Sequence, residues 1–107
     1  MLIELDIYSG RPNPRWEVDG EAESKLRRLL DGLALATTPP PEPPGLGYRG
    51  FVFGNSRAYR GHVAAGDALL ADPDRSVERF MLERLPPELA ELRPRLEREL
   101  TSSTETR

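Results

Sequence analysis

The chain predicts an α+β fold, a small antiparallel sheet packed against two or three helices. Three observations carry that expectation. Residues 2–8 alternate, with Ile3, Leu5 and Ile7 on one face and Glu4 and Asp6 on the other, the period-two signature of a half-buried strand. Later stretches repeat apolar residues at helical spacing, first Ala22, Leu26, Leu29, Leu30 and Leu33, then Val77, Phe80, Met81 and Leu85. Between them, two strand-like runs at 47–53 and 57–65 meet through Gly54-Asn55-Ser56.

After the first strand, Gly10, Pro12 and Pro14 interrupt regular structure. Neither proline can donate to a ladder, and Pro14 holds Asn13 in extended geometry. Arg15 to Val18 resumes as a short strand with Trp16 and Val18 on one side. Asp19 is placed to cap the first helix, and Gly32 supplies its stop signal. Pro39 to Pro44, broken only by Glu42, reads as a polyproline spacer within a linker at 36–45. Gly66-Asp67 turns the chain, by a II′ hairpin with glycine first, into a last strand at Ala68 to Ala71. Asp72-Pro73 is expected to open the second helix with proline near its first position, and Pro86-Pro87 to end it. A third helical piece carries Leu89, Leu92, Leu96 and Leu100 on one face, with Pro94 kinking or splitting it. Residues 1–100 thus form one domain, and 101–107 a disordered tail.

Composition narrows the function. The 37% apolar share is low and the 11 prolines are many, so part of the chain must be linker. There is no cysteine, which removes disulfides and thiolate metal sites. The N-terminus carries acids where a signal peptide needs a basic region, and no apolar run approaches membrane-spanning length. A cytoplasmic protein without membrane attachment is the expectation. Lys25 is the only lysine among 15 basic residues, a bias typical of GC-rich bacterial genomes. The net charge of -3 argues against a nucleic-acid binder. Yet no acid lies between Glu42 and Asp67, while Arg49, Arg57 and Arg60 do. The middle of the chain is locally cationic.

Catalytic chemistry finds little footing. His62 is the only histidine, and neither Ser9 nor Ser56 sits in a nucleophile elbow. Asp72 and Asp74 read better as caps and dipole partners of a helix than as an acid–base pair. Gly45 to Gly50 is glycine-rich, but strand-like Phe51-Val52-Phe53 follows it, where a phosphate loop needs a helix N-terminus. No catalytic residue, metal site or cofactor is assigned.

Recognition fits better. Tyr-Arg-Gly occurs twice, at Tyr48-Arg49-Gly50 and Tyr59-Arg60-Gly61. Tyrosine and arginine suit interfaces because each joins apolar area to directional hydrogen bonding. If Tyr8, Tyr48 and Tyr59 face outward, they form a partner-binding strip, and Arg49, Arg57 and Arg60 would attract the acids of the partner. Arg11 and Asn13, in the loop stiffened by Pro12 and Pro14, would fix that loop against the ligand or a second subunit. Asn13 has an alternative use in local turn hydrogen bonds. A small sheet also leaves an edge for strand addition.

Three segments resemble a group of small bacterial proteins without an assigned activity. They are Ser9-Gly10-Arg11-Pro12-Asn13-Pro14 with Trp16, Leu46-Gly47-Tyr48-Arg49-Gly50-Phe51, and Asp72-Pro73-Asp74-Arg75 leading into Glu78-Arg79-Phe80-Met81-Leu82. Phe80 stands in the neighbourhood where that group often carries tryptophan. The group resembles peptide-binding accessory proteins of crocagin-type pathways, which make ribosomally synthesised, modified peptides. The resemblance implies a non-catalytic homodimer that holds an acidic precursor or leader peptide and guides tailoring enzymes. It supplies no catalytic residues. The alternatives are a small hydrolase or isomerase using His62 with an acid such as Asp67, and a toxin–antitoxin-like interaction module.

Overall fold

In the computed structural model, which describes residues 1–8, 10–43, 45 and 47–102, the alternation at the N-terminus becomes strand β1 (Leu2–Leu5). Ile3 and Leu5 are fully buried. The remaining strands are β2 (Arg15–Glu17), β3 (Ala34–Leu35), β4 (Phe51–Phe53), β5 (Ser56–Tyr59), β6 (His62–Ala65) and β7 (Ala68–Ala71). They form one seven-stranded sheet in the order β2-β1-β4-β5-β6-β7-β3, with every neighbouring pair antiparallel. The α+β architecture is therefore the one expected, with more strands.

Two expectations change in detail. The run 57–65 is two strands, because Arg60 and Gly61 both take positive φ, 47° and 83°, and fold it into a tight hairpin. That is the backbone of a I′ turn, whose twist matches the flanking strands. At the Gly66 turn φ is positive only at the glycine, in keeping with the expected II′ geometry. The second change is β3, whose two residues are both exposed. Two residues are too few to show alternation in a sequence.

Helix α1 (Gly20–Asp31) links β2 to β3, the two edges of the sheet. Its 12 residues span about 18 Å at 1.5 Å per residue. Asp19 caps it as expected, its carboxylate accepting from Ala22 N at 2.9 Å. Helix α2 starts later than expected, at Ser76, and runs to Glu83. Asp72 reaches forward to accept from Ser76 N and Val77 N at 3.1 and 2.8 Å, so the cap lies four residues ahead of the helix. A 3₁₀ helix (Pro87–Leu92) and helix α3 (Arg93–Ser102) follow. The third helical piece is indeed divided, and Pro94 sits in the first turn of α3, where its missing N–H costs nothing. The first two residues of the expected tail, Thr101 and Ser102, belong to α3; 103–107 lie outside the described residues.

The core lies between one sheet face and the helices. Ile3, Leu5, Trp16, Phe51, Phe53, Ala58 and Val63 meet Leu26, Val77, Met81, Leu96 and Leu100 there. Trp16 and Phe51 pack edge to face with centroids 6.4 Å apart. The linker residues Thr37–Pro43 are exposed and have no helix or strand. Among the described residues no helix is long and apolar enough to cross a membrane.

Candidate functional site

The opposite sheet face gathers much of the polar chemistry. Directly opposed residues share a face, so the registers define one row: Arg15, Glu4, Val52, Arg57, Ala64 and Leu69. Asp6, two residues beyond Glu4, falls on the same side. Its carboxylate collects the arginines of the acid-free segment. Arg49 donates to Asp6 Oδ1 from Nε at 3.1 Å and Nη2 at 2.9 Å. Arg57 Nη1 donates to Oδ2 at 2.7 Å. Partial burial acts to raise the Asp6 pKa, but hydrogen bonds and charge from Arg49 and Arg57 outweigh it and hold the carboxyl below its ordinary range.

The proline-stiffened loop docks on this cluster. Asn13 Oδ1 accepts from Ile7 N and Tyr8 N at 3.0 and 2.8 Å. Its Nδ2 donates to Glu4 Oε2 at 3.0 Å and Asp6 Oδ1 at 3.3 Å. The side chain is fully spent inside the protein, which is the local turn use. Asn13→Ala would strand two backbone donors and is expected to cost about 1–3 kcal/mol, read from the urea midpoint. Arg11 lies over the Tyr8 ring, 3.8 Å from its centroid, and is exposed. Arg49 also donates to Tyr8 O and Gly45 O, tying the end of the linker to the sheet. Arg15 pairs with Glu4 at 3.4 Å. Three arginines, Arg15, Arg49 and Arg57, pair with two carboxylates, Glu4 and Asp6, leaving this cluster cationic in an acidic protein.

The tyrosines do not join it. Tyr48 and Tyr59 are 2% and 6% exposed, so the outward-facing strip is corrected: both rings fill the core, 5.7 Å apart. The physical reason is a buried partner. Glu78 on α2 accepts the Tyr48 hydroxyl and also the Gly61 N–H at 3.1 Å. Arg75 grips the same carboxylate from Nε and Nη2 at 3.0 and 2.9 Å. Burial, and then the Glu78 charge and hydrogen bond, raise the Tyr48 pKa well above the ordinary tyrosine value, so the phenol stays protonated. Arg60 lies in the β5–β6 turn, 3.5 Å from Glu99, away from the Asp6 cluster. Arg11, Asn13, Arg49 and Arg57 are therefore brought together, while Tyr48, Tyr59 and Arg60 belong to the buried side or its margin.

His62 begins β6 and Asp67 lies in the turn beyond its end, more than about 10 Å away by strand rise. The structure does not bring that pair together. No group of three or more His, Asp or Glu residues placed to hold a metal occurs among the described residues. Searches against family models, curated proteins and solved structures find no match. No local pattern in the sequence marks Asp6, Glu78 or Arg75 as a centre of hydrogen bonding. The one available signal for Asp6 was the acid-free segment itself, whose arginines had to find counter-charges elsewhere in the chain.

Proposed function

We propose that the protein is a non-catalytic accessory protein that binds an acidic precursor or leader peptide. It would guide tailoring enzymes in the making of a ribosomally synthesised, modified peptide, acting in the cytoplasm as a homodimer, as the resemblance implies. The observation that supports binding is the cationic cluster on the uncovered sheet face, fixed in place by Asp6 and Asn13. A preorganised cluster loses little freedom when a ligand arrives. Arg57 is its most accessible member in the central strands, with a side chain 44% exposed. The binding surface is thus Arg57 and its neighbours, without Tyr48 and Tyr59.

Peptides encoded beside the gene, labelled with fluorescein and titrated by anisotropy at two salt concentrations, test this reading. Trp16 is a poor reporter because it is 8% exposed. Saturable binding of one peptide, weakened as salt shortens the screening length, is expected. Absence of binding at low salt would overturn the reading.

A further inference from the structure

Beside the β5–β6 turn lies an open cleft of about 440 Å³, whose walls include Arg60, Gly61, His62, Ala71 and Arg75 and no acid. That size suits a small molecule or one end of a larger one. Two nitrogens at this cleft are unspent. Among the described residues, Arg60 Nε and His62 Nδ1 have no hydrogen-bond partner, although both atoms are buried. Buried polar atoms are paired in the great majority of folded structures, so each exception asks for a cause. Arg60 Nη2 stands 3.5 Å from Glu99, beyond the usual range of an N–H···O bond. Arg75, by contrast, is committed to Glu78 and to the Glu99 and Leu100 carbonyls. Arg60 and His62 are only partly buried as whole residues, and a change of rotamer of the kind that accompanies binding turns their donors towards a ligand.

The backbone points the same way. Arg60 is left-handed, with φ 47°, at the first central position of the I′ turn, where asparagine, aspartate and glycine are the unstrained choices. Gly61 fastens the turn to the core: its N–H donates to Glu78 at 3.1 Å, and its carbonyl accepts from Asp72 N at 2.8 Å. The fold thus holds an arginine in a costly conformation and gives its Nε no internal acceptor. Strain of this kind clusters at ligand-binding positions.

We propose that this cleft binds an oxyanion, the phosphate or carboxylate group of a small ligand, through Arg60 and His62. The guanidinium supplies charge and more than one donor, and the imidazole supplies an N–H. The Glu99 contact is long and partly exposed, so it holds Arg60 weakly and yields to the incoming group. The site lies outside the Asp6 cluster, and the inference does not rest on the peptide-binding reading.

His62 is the only histidine, so its imidazole signals in an NMR spectrum report on this cleft without ambiguity. They are followed while inorganic phosphate or acetate replaces chloride at constant pH and ionic strength. Saturable movement of the ring signals is expected, and the anion that binds more tightly identifies the ligand group as phosphate or carboxylate. Arg60→Asn suits the turn and should remain folded by circular dichroism, while weakening that anion about tenfold or more, the scale of a charge-assisted contact. Arg98→Gln removes the same charge from an exposed position on α3 and should leave the affinity unchanged. Signals that respond to neither anion, or respond with the same affinity in Arg60→Asn, would overturn the site. An equal loss of affinity in Arg98→Gln would also overturn it, because attraction by overall charge would then account for the binding.

Discussion

Glu78→Ala is expected to lower the stability by about 3–5 kcal/mol, the cost of leaving a buried charge without its partner. Arg75 and Glu78 are both almost wholly buried. The loss would extend beyond one pair, because the Glu78 carboxylate joins three parts of the fold. It takes the Tyr48 hydroxyl ahead of β4, the Gly61 N–H of the β5–β6 turn and the Arg75 fork at the start of α2. Arg75 Nη1 in turn donates to the Glu99 and Leu100 carbonyls of α3 at 3.1 and 3.0 Å. A domain this size has a stability of only about 5–15 kcal/mol, so the variant should show a far lower urea midpoint or no folded baseline. Tyr48→Phe removes one hydrogen bond and keeps the ring, and should cost about 1–2 kcal/mol. The joint replacement Arg75→Met with Glu78→Leu removes both charges and should cost less than Glu78→Ala alone. A joint variant weaker than the single one would show that the pair itself stabilises the fold.

The same carboxylate sets an acid limit. Burial acts to raise the Glu78 pKa, but the bonds from Arg75 and Tyr48, the Arg75 charge and the Gly61 N–H together lower it below the ordinary value. A lowered folded pKa means that the unfolded chain takes up the proton first on acidification. The contribution of Glu78 is complete above the unfolded carboxylate pKa, about 4.3, and is lost as pH falls through the lower folded value. Urea midpoints measured from about pH 6 down to pH 3 should therefore decline for the natural chain. Glu78→Gln should decline less steeply while retaining some slope, because Asp6 is also shifted downward.

Local chemistry made much of the fold readable. Ile3 and Leu5 alternate with acids and lie in β1; Asp19 precedes an apolar helical repeat and caps it. Both signals act within a few residues. The errors come where the partner is distant. Tyr48 and Tyr59 look like surface anchors until Glu78, 30 residues from Tyr48, supplies a buried acceptor. Arg49 finds its carboxylate 43 residues away, at Asp6. The two Tyr-Arg-Gly segments are identical as text and different as structure. In the first, Arg49 faces Asp6 and its glycine lies close against the neighbouring strand β5; in the second, Arg60 and Gly61 are the two central residues of a turn. The candidate loop was legible as a rigid turn, but its use in holding Glu4 and Asp6 through Asn13 depends on contacts that no local pattern encodes.

Gly50→Ala is expected to cost about 2–5 kcal/mol, combining an unfavourable backbone conformation with a forced displacement of β5. Gly50 has φ +106°, and a Cβ built there would overlap the Ala58 carbonyl oxygen and crowd Tyr59 Cβ at 3.1 Å. Ala58 faces Phe51 in the β4–β5 register, so moving its carbonyl disturbs the ladder beneath two core aromatics. Gly54→Ala provides the control. Gly54 also has positive φ, +56°, but a Cβ there meets nothing within 4 Å. That variant should lose only about 1 kcal/mol, for the left-handed conformation. Urea unfolding of the two variants separates conformation from close approach. Equal losses would mean that β5 does not press against Gly50, whereas a much larger loss at Gly50 would place the constraint in the contact between its backbone and β5. The same contact bears on Arg49 and Arg57, since Gly50 follows one and the neighbouring strand β5 carries the other. A displaced β5 should therefore weaken the hold of Asp6 on Arg57 in any Gly50→Ala protein that remains folded.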